Sequence, residues 1–423
     1  MNYDIVAGMD NGTLNQLVKQ VYSTLYPSIF KDTISVGQLG IASLGFDFNV
    51  APTTNLQPSA EFRDYVADYL AKDTLYANVI EADRSTMLEL AAAASFGVKA
   101  PSVVLTVAYQ GGATPTTVKA SLSGSINIQT QNTGGQNYLT VQIATANVSI
   151  PGDPALAGLL NNAIVPQFLI PYLNKNLLGP IKVPALQFSS LVVSMPAPAV
   201  QSPFVTAYSA LGTAQPTIPP PNNWPANCVF TGVNTNAITK AAAIPFPLGP
   251  STGFNWEIIS GTVGAQVTAP TNISINSDGS ISASITAYAR CQLTLHTPNG
   301  LPNVDFGPSA QATIAATLRP SVVNQQVCFV MEGIPIPRFS FSWGIPSWIA
   351  WLFDPLAGAL SAALNAILGP LIGNVLKLPP IPVYTIPTIS FTAGGKSINI
   401  KIAQATTSSR NSLLMVSAQL TVS

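Results

Sequence analysis

Charged side chains are scarce in this chain of 423 residues. Lysine and arginine together number 17, aspartate and glutamate also number 17, and the formal net charge is zero. Charged residues therefore make up 8% of the sequence, against about 25% in ordinary globular proteins. Without a basic surface a chain cannot follow a phosphate backbone, which excludes nucleic acid as a partner. The hydrophobic fraction of 47% excludes an intrinsically disordered chain.

Residue types that carry catalysis or bind metals are also few. The sequence has one histidine, His296, and three cysteines, Cys228, Cys291 and Cys328, without a CxxC pair. No GxSxG, GxGxxG, Walker A or HExxH motif occurs, so we expect no metal, no cofactor and no enzymatic activity. His296 precedes "TPNG" and is predicted at an exposed turn. Two alternatives stay open: paired carboxylates that hydrolyse glycosides, and a disulfide such as Cys291–Cys328 in place of small apolar side chains in strands.

The N-terminal sequence lacks the features of a secretory signal. "MNYDIVAGMDNGTLNQ" has neither a basic segment nor an apolar run. We therefore expect a soluble protein that stays in the cytoplasm, leaves the cell by a non-classical route, or has already been processed.

Two long segments are nearly free of charge and resemble each other. They read "DPALAGLLNNAIVPQFLIPYLN" (153–174) and "DPLAGALSAALNAILGPLIGN" (354–374). The second is long enough to cross a membrane, but its glycines, its asparagines and the interior Pro370 oppose insertion. Apolar residues recur at every fourth position, which indicates amphipathic helices that cover a core or line a ligand site. The two apolar stripes are Leu160, Ile164, Phe168 and Tyr172, and Leu360, Leu364, Leu368 and Ile372.

Further segments repeat around these two, which indicates an internal duplication. "AGMDNGTLNQ" (7–16) resembles "TGVNTNAITK" (231–240), and "PFVTAYSAL" (203–211) resembles "SLLMVSAQL" (412–420). Each opening segment should start a helix, capped by Asp10 or Asn11 in the first half and beginning after Asn234 in the second. The predicted parts are a first half (1–211), a Pro- and Asn-rich linker (212–228) and a second half (229–423).

The halves differ in two places. Residues 1–90 hold 16 of the 34 charged side chains, many of them in a segment near 59–92 that should form a surface helix specific to the first half. In the second half, "IPFPLGP" (244–250) should end the opening helix within about two turns.

The remaining sequence predicts long strands. Polar and apolar residues alternate over 102–110, 120–131, 137–150 and 273–296, the last with a tight turn at Asp278–Gly279. Antiparallel sheets with one apolar face need a cover, which the apolar helix of each half can supply. The sequence thus predicts an α+β fold.

At this point the chain resembles the tubular lipid-binding (TULIP) superfamily, and within it the bacterial branch encoded beside clostridial neurotoxin genes. The resemblance lies in "YDIVAGMDNGTLNQLVKQVY" (3–22) and in the paired segments at 153–188 and 354–391. It implies an elongated tandem duplication in which a highly curved antiparallel sheet of each half wraps a long apolar helix. It also implies an apolar tube for a lipid or another hydrophobic ligand, lined by the eight stripe residues, and protein partners of the same family.

Two questions are left open by the sequence. The helices could line a ligand cavity, or they could fill a solid core, as in a structural or interaction protein. The segment "SWGIPSWIAWLF" (342–353) carries Trp343, Trp348 and Trp351 without a charge. These rings either plug the end of the second half or form an exposed tip that contacts a membrane.

Overall fold

The structure is a computed structural model that describes residues 3–72, 79–185, 191–256, 258–296, 302–332, 335–345, 350–376 and 380–423. Three curved antiparallel sheets make up most of it, and each half contributes one outer sheet and part of a shared central sheet. Strands are numbered in chain order.

The outer sheet of the first half contains β2 (Lys31–Gln38), β3 (Ile41–Asp47), β4 (Thr53–Asn55), β5 (Ser95–Tyr109), β6 (Thr116–Thr133), β7 (Gln136–Ser149) and β8 (Lys182–Pro184). The outer sheet of the second half contains β12 (Ser251–Asn255), β13 (Ile259–Val267), β14 (Thr271–Ile275), β15 (Ile281–Leu295), β16 (Val304–Phe306), β17 (Ser309–Val323), β18 (Gln326–Glu332) and β19 (Ile381–Thr385). The central sheet contains β1 (Ile5–Asp10), β9 (Ala197–Gln201), β10 (Phe204–Ser209), β11 (Val229–Val233), β20 (Ile389–Ala393), β21 (Lys396–Arg410) and β22 (Leu413–Val422).

The two outer sheets share one order of main strands, and the second has one further short strand, β16, which pairs with β15. Their strand orders are β2-β3-β5-β6-β7-β8 and β12-β13-β15-β17-β18-β19, and the short strands β4 and β14 each pair with the third strand of that order. In the central sheet each opening strand pairs with the closing strand of its own half, β1 with β10 and β11 with β22, while β1 and β11 pair with each other. The predicted duplication is therefore present in the topology, although the boundaries of the halves stay a prediction.

Each half has an opening helix and a long core helix. The opening helices are Asn11–Leu25 and Thr235–Ala243. Asp10 and Asn234 cap them by accepting hydrogen bonds from backbone amides three residues ahead, as predicted. The core helices are Pro154–Leu178 and Ala350–Leu376. The second opening helix is short, also as predicted, because the Pro-rich segment follows it.

The charged insertion of the first half forms two helices, Ala60–Leu70 and Glu81–Ala93, where the sequence predicted one. The first of them buries Phe62. The predicted linker, 212–228, contains no helix or strand. Asp278 and Gly279 form the predicted turn between β14 and β15, in which the Asp278 carboxylate accepts a hydrogen bond from the backbone amide of Ser280 at 2.9 Å.

Proline shapes the first core helix. Its hydrogen bonds widen to π-type turns over Leu160–Leu169, the stretch that contains Pro166, and again over Asn174–Leu178. Proline lacks an amide hydrogen, and a wider turn accommodates that loss within a continuous helix.

Both core helices are long and apolar enough to cross a membrane by length and composition. Their asparagines, however, bond to neighbouring protein backbone. Asn161 makes two hydrogen bonds to Val148, at 2.6 and 2.9 Å, and Asn365 makes two to Phe339, at 2.7 and 3.0 Å. These contacts favour the predicted core helices over membrane spans.

Candidate functional site

A cavity of about 460 Å³ lies between the outer sheet of the first half and the central sheet. One wall is the inner face of β6 and β7, another is the first opening helix, and the C-terminal end of the first core helix contributes further lining residues. The contributing side chains include Leu122, Ile126, Ile128, Leu139, Val141 and Ile143 from the sheet, Leu14, Leu17, Val18 and Val21 from the opening helix, and Leu173, Leu177 and Leu178 from the core helix.

The local sequence explains why these side chains face the cavity. Alternate residues of β7, from Leu139 to Ile143, point to the same face of the sheet. In the opening helix the spacing of Leu14, Leu17, Val18 and Val21 places them on one helical face. The sequence predicted that helix from its capping residues but assigned it no role in binding, although the spacing of these apolar residues was visible.

Strands from the second half of the chain complete the wall. Ile389 of β20, Ile402 of β21 and Leu420 of β22 line the cavity together with Val229 and Thr231 of β11. The cavity is therefore built by both halves, and no local sequence signal predicts this contribution.

The cavity wall is almost entirely apolar. Among the described residues that line it, none carries a charge, and the polar side chains are the hydroxyls of Thr54, Ser123, Thr206, Ser209 and Thr231. The Thr206 hydroxyl is already engaged, because it donates to the carbonyl of Ala199 at 3.2 Å. The volume falls within the range of about 300–1,000 Å³ that is typical of small-molecule sites.

The predicted stripe of the first half lies elsewhere. Leu160 and Ile164 are fully buried in the core between the helix and the outer sheet, and Phe168 and Tyr172 are half-buried beside them. The Tyr172 hydroxyl donates a hydrogen bond to Asp32, and burial together with this bond raises the pKa of Tyr172 to about 12. None of these four residues is among those that line the cavity. Their role as ligand contacts stays a prediction.

The stripe of the second half is buried in a packed core. Leu364, Leu368 and Ile372 have no exposed surface, and Leu360 is 6% exposed. They share a cluster with apolar side chains of β13, β15 and β17, such as Val263. A ligand-binding role for these four residues also stays a prediction.

The predicted tryptophan tip is described only in part. Trp343 is half-buried, with its ring centroid 6.4 Å from that of Phe306 and 5.6 Å from that of Phe341. Trp348 and the side chain of Trp351 lie outside the described part of the chain. Contact of the three with a membrane therefore stays a prediction.

The cysteines and the histidine, the other side chains that could carry chemistry, are packed within the fold. All three cysteines are buried and free, which agrees with their interpretation as small apolar side chains and contradicts the alternative of a Cys291–Cys328 disulfide that the sequence left open. Burial raises the pKa of Cys291 to about 11. The prediction that His296 is exposed is also wrong: the residue is half-buried and its Nε2 lies 2.9 Å from the Ser260 hydroxyl. No group of three or more histidine, cysteine or acidic side chains among the described residues could hold a metal ion.

Comparison with known proteins gave structural neighbours only. No known family's sequence profile matches the chain, and no curated protein matches it either. A solved structure of lipopolysaccharide binding protein aligns over 100% of this chain and 99% of its own, with 12% identity and a TM-score of 0.29.

Two bacterial structures also align over nearly the whole chain. P47 from Clostridium botulinum A2 covers 99% of this chain and 97% of its own, with 10% identity and a TM-score of 0.45. P47 of Clostridium botulinum E1 covers 99% of both chains, with 7% identity and a TM-score of 0.41. Neighbours of this kind are those that the sequence resemblance anticipated. A likeness at these identities and TM-scores carries no information about a ligand.

Proposed function

We propose that the protein binds a lipid chain or another hydrophobic small molecule, without catalysing a reaction, in the apolar cavity of its first half. The observation that supports this proposal is the wall of the cavity, which combines aliphatic and aromatic side chains with a few hydroxyls and no charge. Cavities lined in this way exclude water and accept apolar ligands.

The size of the cavity suits a single acyl chain. A water molecule occupies about 30 Å³ in the liquid, and a methylene group is of similar size, so 460 Å³ accommodates on the order of fifteen such groups. Burial of one methylene contributes about 0.8 kcal/mol. About fifteen buried methylenes would contribute about 12 kcal/mol, which sets an upper limit near nanomolar affinity before the entropic cost of binding is subtracted.

The direct test is to fill the cavity. Val18→Trp and Val141→Trp place a large ring in it from the opening helix and from β7, respectively. We expect each to lower the affinity for a fluorescent fatty acid by at least about tenfold, with little loss of stability because the ring occupies existing space. Val323→Trp, at a position 49% exposed in the second half, is the matched control and should leave uptake unchanged.

Mass spectrometry of organic extracts of the purified protein would identify a co-purified ligand. If the wild type takes up no fatty acid and both cavity variants lose about 1–3 kcal/mol of unfolding free energy, the space is a filled core. The protein would then be a structural or interaction protein without a ligand.

A further inference from the structure

A second pocket, of about 360 Å³, lies at the surface beside the apolar cavity. The first opening helix, the residues just before β11 and the C-terminal part of β22 surround it. Its wall is mostly polar and uncharged: the lining residues are Thr13, Gln16, Gln20, Asn227 and Gln419, together with Leu17, Cys228 and Leu420.

This pocket forms where β11 begins and no longer covers the edge of its neighbour β22. Pairing between β11 and β22 stops at Val229 and Ala418, so β22 continues past its neighbour and faces the opening helix. On the other side, the register with β21 shifts between Ile402 and Ala405, which places a bulge opposite Gln419. Such bulges redirect side chains, and Gln419 and Leu420 both reach the pocket although they are adjacent in a strand.

Two leucines join the pocket to the cavity. Leu17 and Leu420 line both spaces, so the polar pocket and the apolar cavity meet at these two side chains. Gln16 and Leu17 are neighbours in the helix, as Gln419 and Leu420 are in the strand. Each pair therefore presents a hydrogen-bonding group on one side of the boundary and an apolar group on the other.

Charge is absent from this wall. No lysine, arginine, aspartate or glutamate is among the described residues that line the pocket. The nearby carboxylate of Asp10 is occupied, because it accepts hydrogen bonds from the backbone amides of Gly12 and Asn227 at 3.2 and 3.1 Å, and from Thr13. Arg410 lies near enough to interact electrostatically with the Cys228 thiol of the wall, but it is not among the lining residues. A phosphate or carboxylate in the pocket would therefore find no lining cation with which to form charge-assisted bonds.

We propose that this pocket is the head-group subsite of the cavity and that the ligand is an amphiphile with one apolar chain and an uncharged hydrogen-bonding head, such as a hydroxyl-rich or amide group. The proposal rests on the proposed function of the apolar cavity. Primary amides both donate and accept hydrogen bonds, which matches hydroxyl and amide heads. Leu17 and Leu420 then lie where the chain enters the cavity.

The test compares three amphiphiles with the same chain length: monopalmitoylglycerol, palmitate and hexadecyltrimethylammonium. Each is titrated against N-phenyl-1-naphthylamine, an uncharged apolar probe of the cavity. The wild type should bind the glycerol ester more tightly than either ion. In Gln16→Ala/Gln419→Ala, the affinity for the ester should fall at least about fivefold, while the affinity for the apolar probe stays unchanged. Gln311→Ala, exposed in the second half, is the control.

A charged variant gives a second, independent measurement. Gln16→Lys should raise the affinity for palmitate and lower that for the cation, since it supplies the charge that the pocket lacks. The head-group proposal is overturned if the wild type binds all three amphiphiles equally, or if the double variant leaves the ester affinity unchanged. It is also overturned if probe and ester affinities fall together. If the apolar probe does not bind the wild type at all, the function proposed for the cavity fails first.

Discussion

The side-chain amide of Asn174 makes two hydrogen bonds to the backbone of Ile143: Nδ2 donates to the carbonyl at 2.9 Å and Oδ1 accepts from the amide at 2.7 Å. β8 pairs with β7 only between Tyr138 and Thr140, so the backbone of Ile143 needs another partner on that edge. Asn174 acts as that partner and ties the core helix to a strand that lines the cavity.

Asn174→Leu tests this link at nearly constant side-chain volume. We expect a loss of about 1–3 kcal/mol in unfolding free energy, because the substitution leaves a donor and an acceptor of Ile143 without partners. Urea denaturation measures the loss. Asn162→Leu, at an exposed position of the same helix, should cost much less, and equal losses from both variants would contradict the role of Asn174.

The loss of folding stability at acid pH should depend on Asp4. Burial by itself would raise the pKa of Asp4, but hydrogen bonds from Asn236, from the backbone amide of Leu211 and from Asn234 outweigh it, and the pKa is lowered. A lowered pKa stabilises the folded state above the pKa of the unfolded chain, about 4, and this contribution is lost as the pH falls toward the folded value.

Asp4→Asn should therefore lower stability at neutral pH, by about 1–3 kcal/mol for the lost buried bonds, and flatten the decline of stability below about pH 4. Thermal unfolding between neutral pH and pH 3 measures both effects. Asp64→Asn, exposed on the insertion helix, is the control; an unchanged acid decline in Asp4→Asn would refute the assignment.

The second core helix should contribute to the stability of the protein but not to the binding of a fatty acid in the cavity. Leu364→Ala truncates a side chain without exposed surface and should cost about 2–5 kcal/mol. Leu39→Ala, at a position 61% exposed, is the control and should cost little. Fatty-acid uptake measured below the unfolding transition should be unchanged in both; loss of uptake in Leu364→Ala would show that the ligand also contacts the second core helix.

The tryptophan-rich segment gives a prediction from sequence alone. If Trp348 and Trp351 contact a membrane, the double alanine variant should no longer sediment with liposomes, while its free energy of unfolding stays unchanged. Binding of the wild type should change little with salt, because the chain has no net charge. Loss of stability with no liposome binding by either protein would place the rings in the core.

The sequence by itself determined the local elements and their repetition. Asp10 and Asn234 predict the starts of two helices, because a short polar side chain at that position accepts a hydrogen bond from a free backbone amide three residues ahead. The stripe from Leu360 to Ile372 predicts a buried helical face because every fourth residue shares that face. Asp278 and Gly279 predict a tight turn, because this residue pair favours the backbone conformation of a two-residue hairpin turn. Repetition of these signals was enough to predict the duplication.

The tertiary structure alone decided where apolar volume is left unfilled. Similar stripes occur on both core helices, yet the cavity lies beside the opening helix of the first half and is completed by Leu420 at the far end of the chain. That opening helix has 15 residues and its counterpart has 9, a difference the sequence indicated without showing its consequence. Unfilled space is set by how three curved sheets close around helices of unequal length, which depends on contacts between residues distant in sequence.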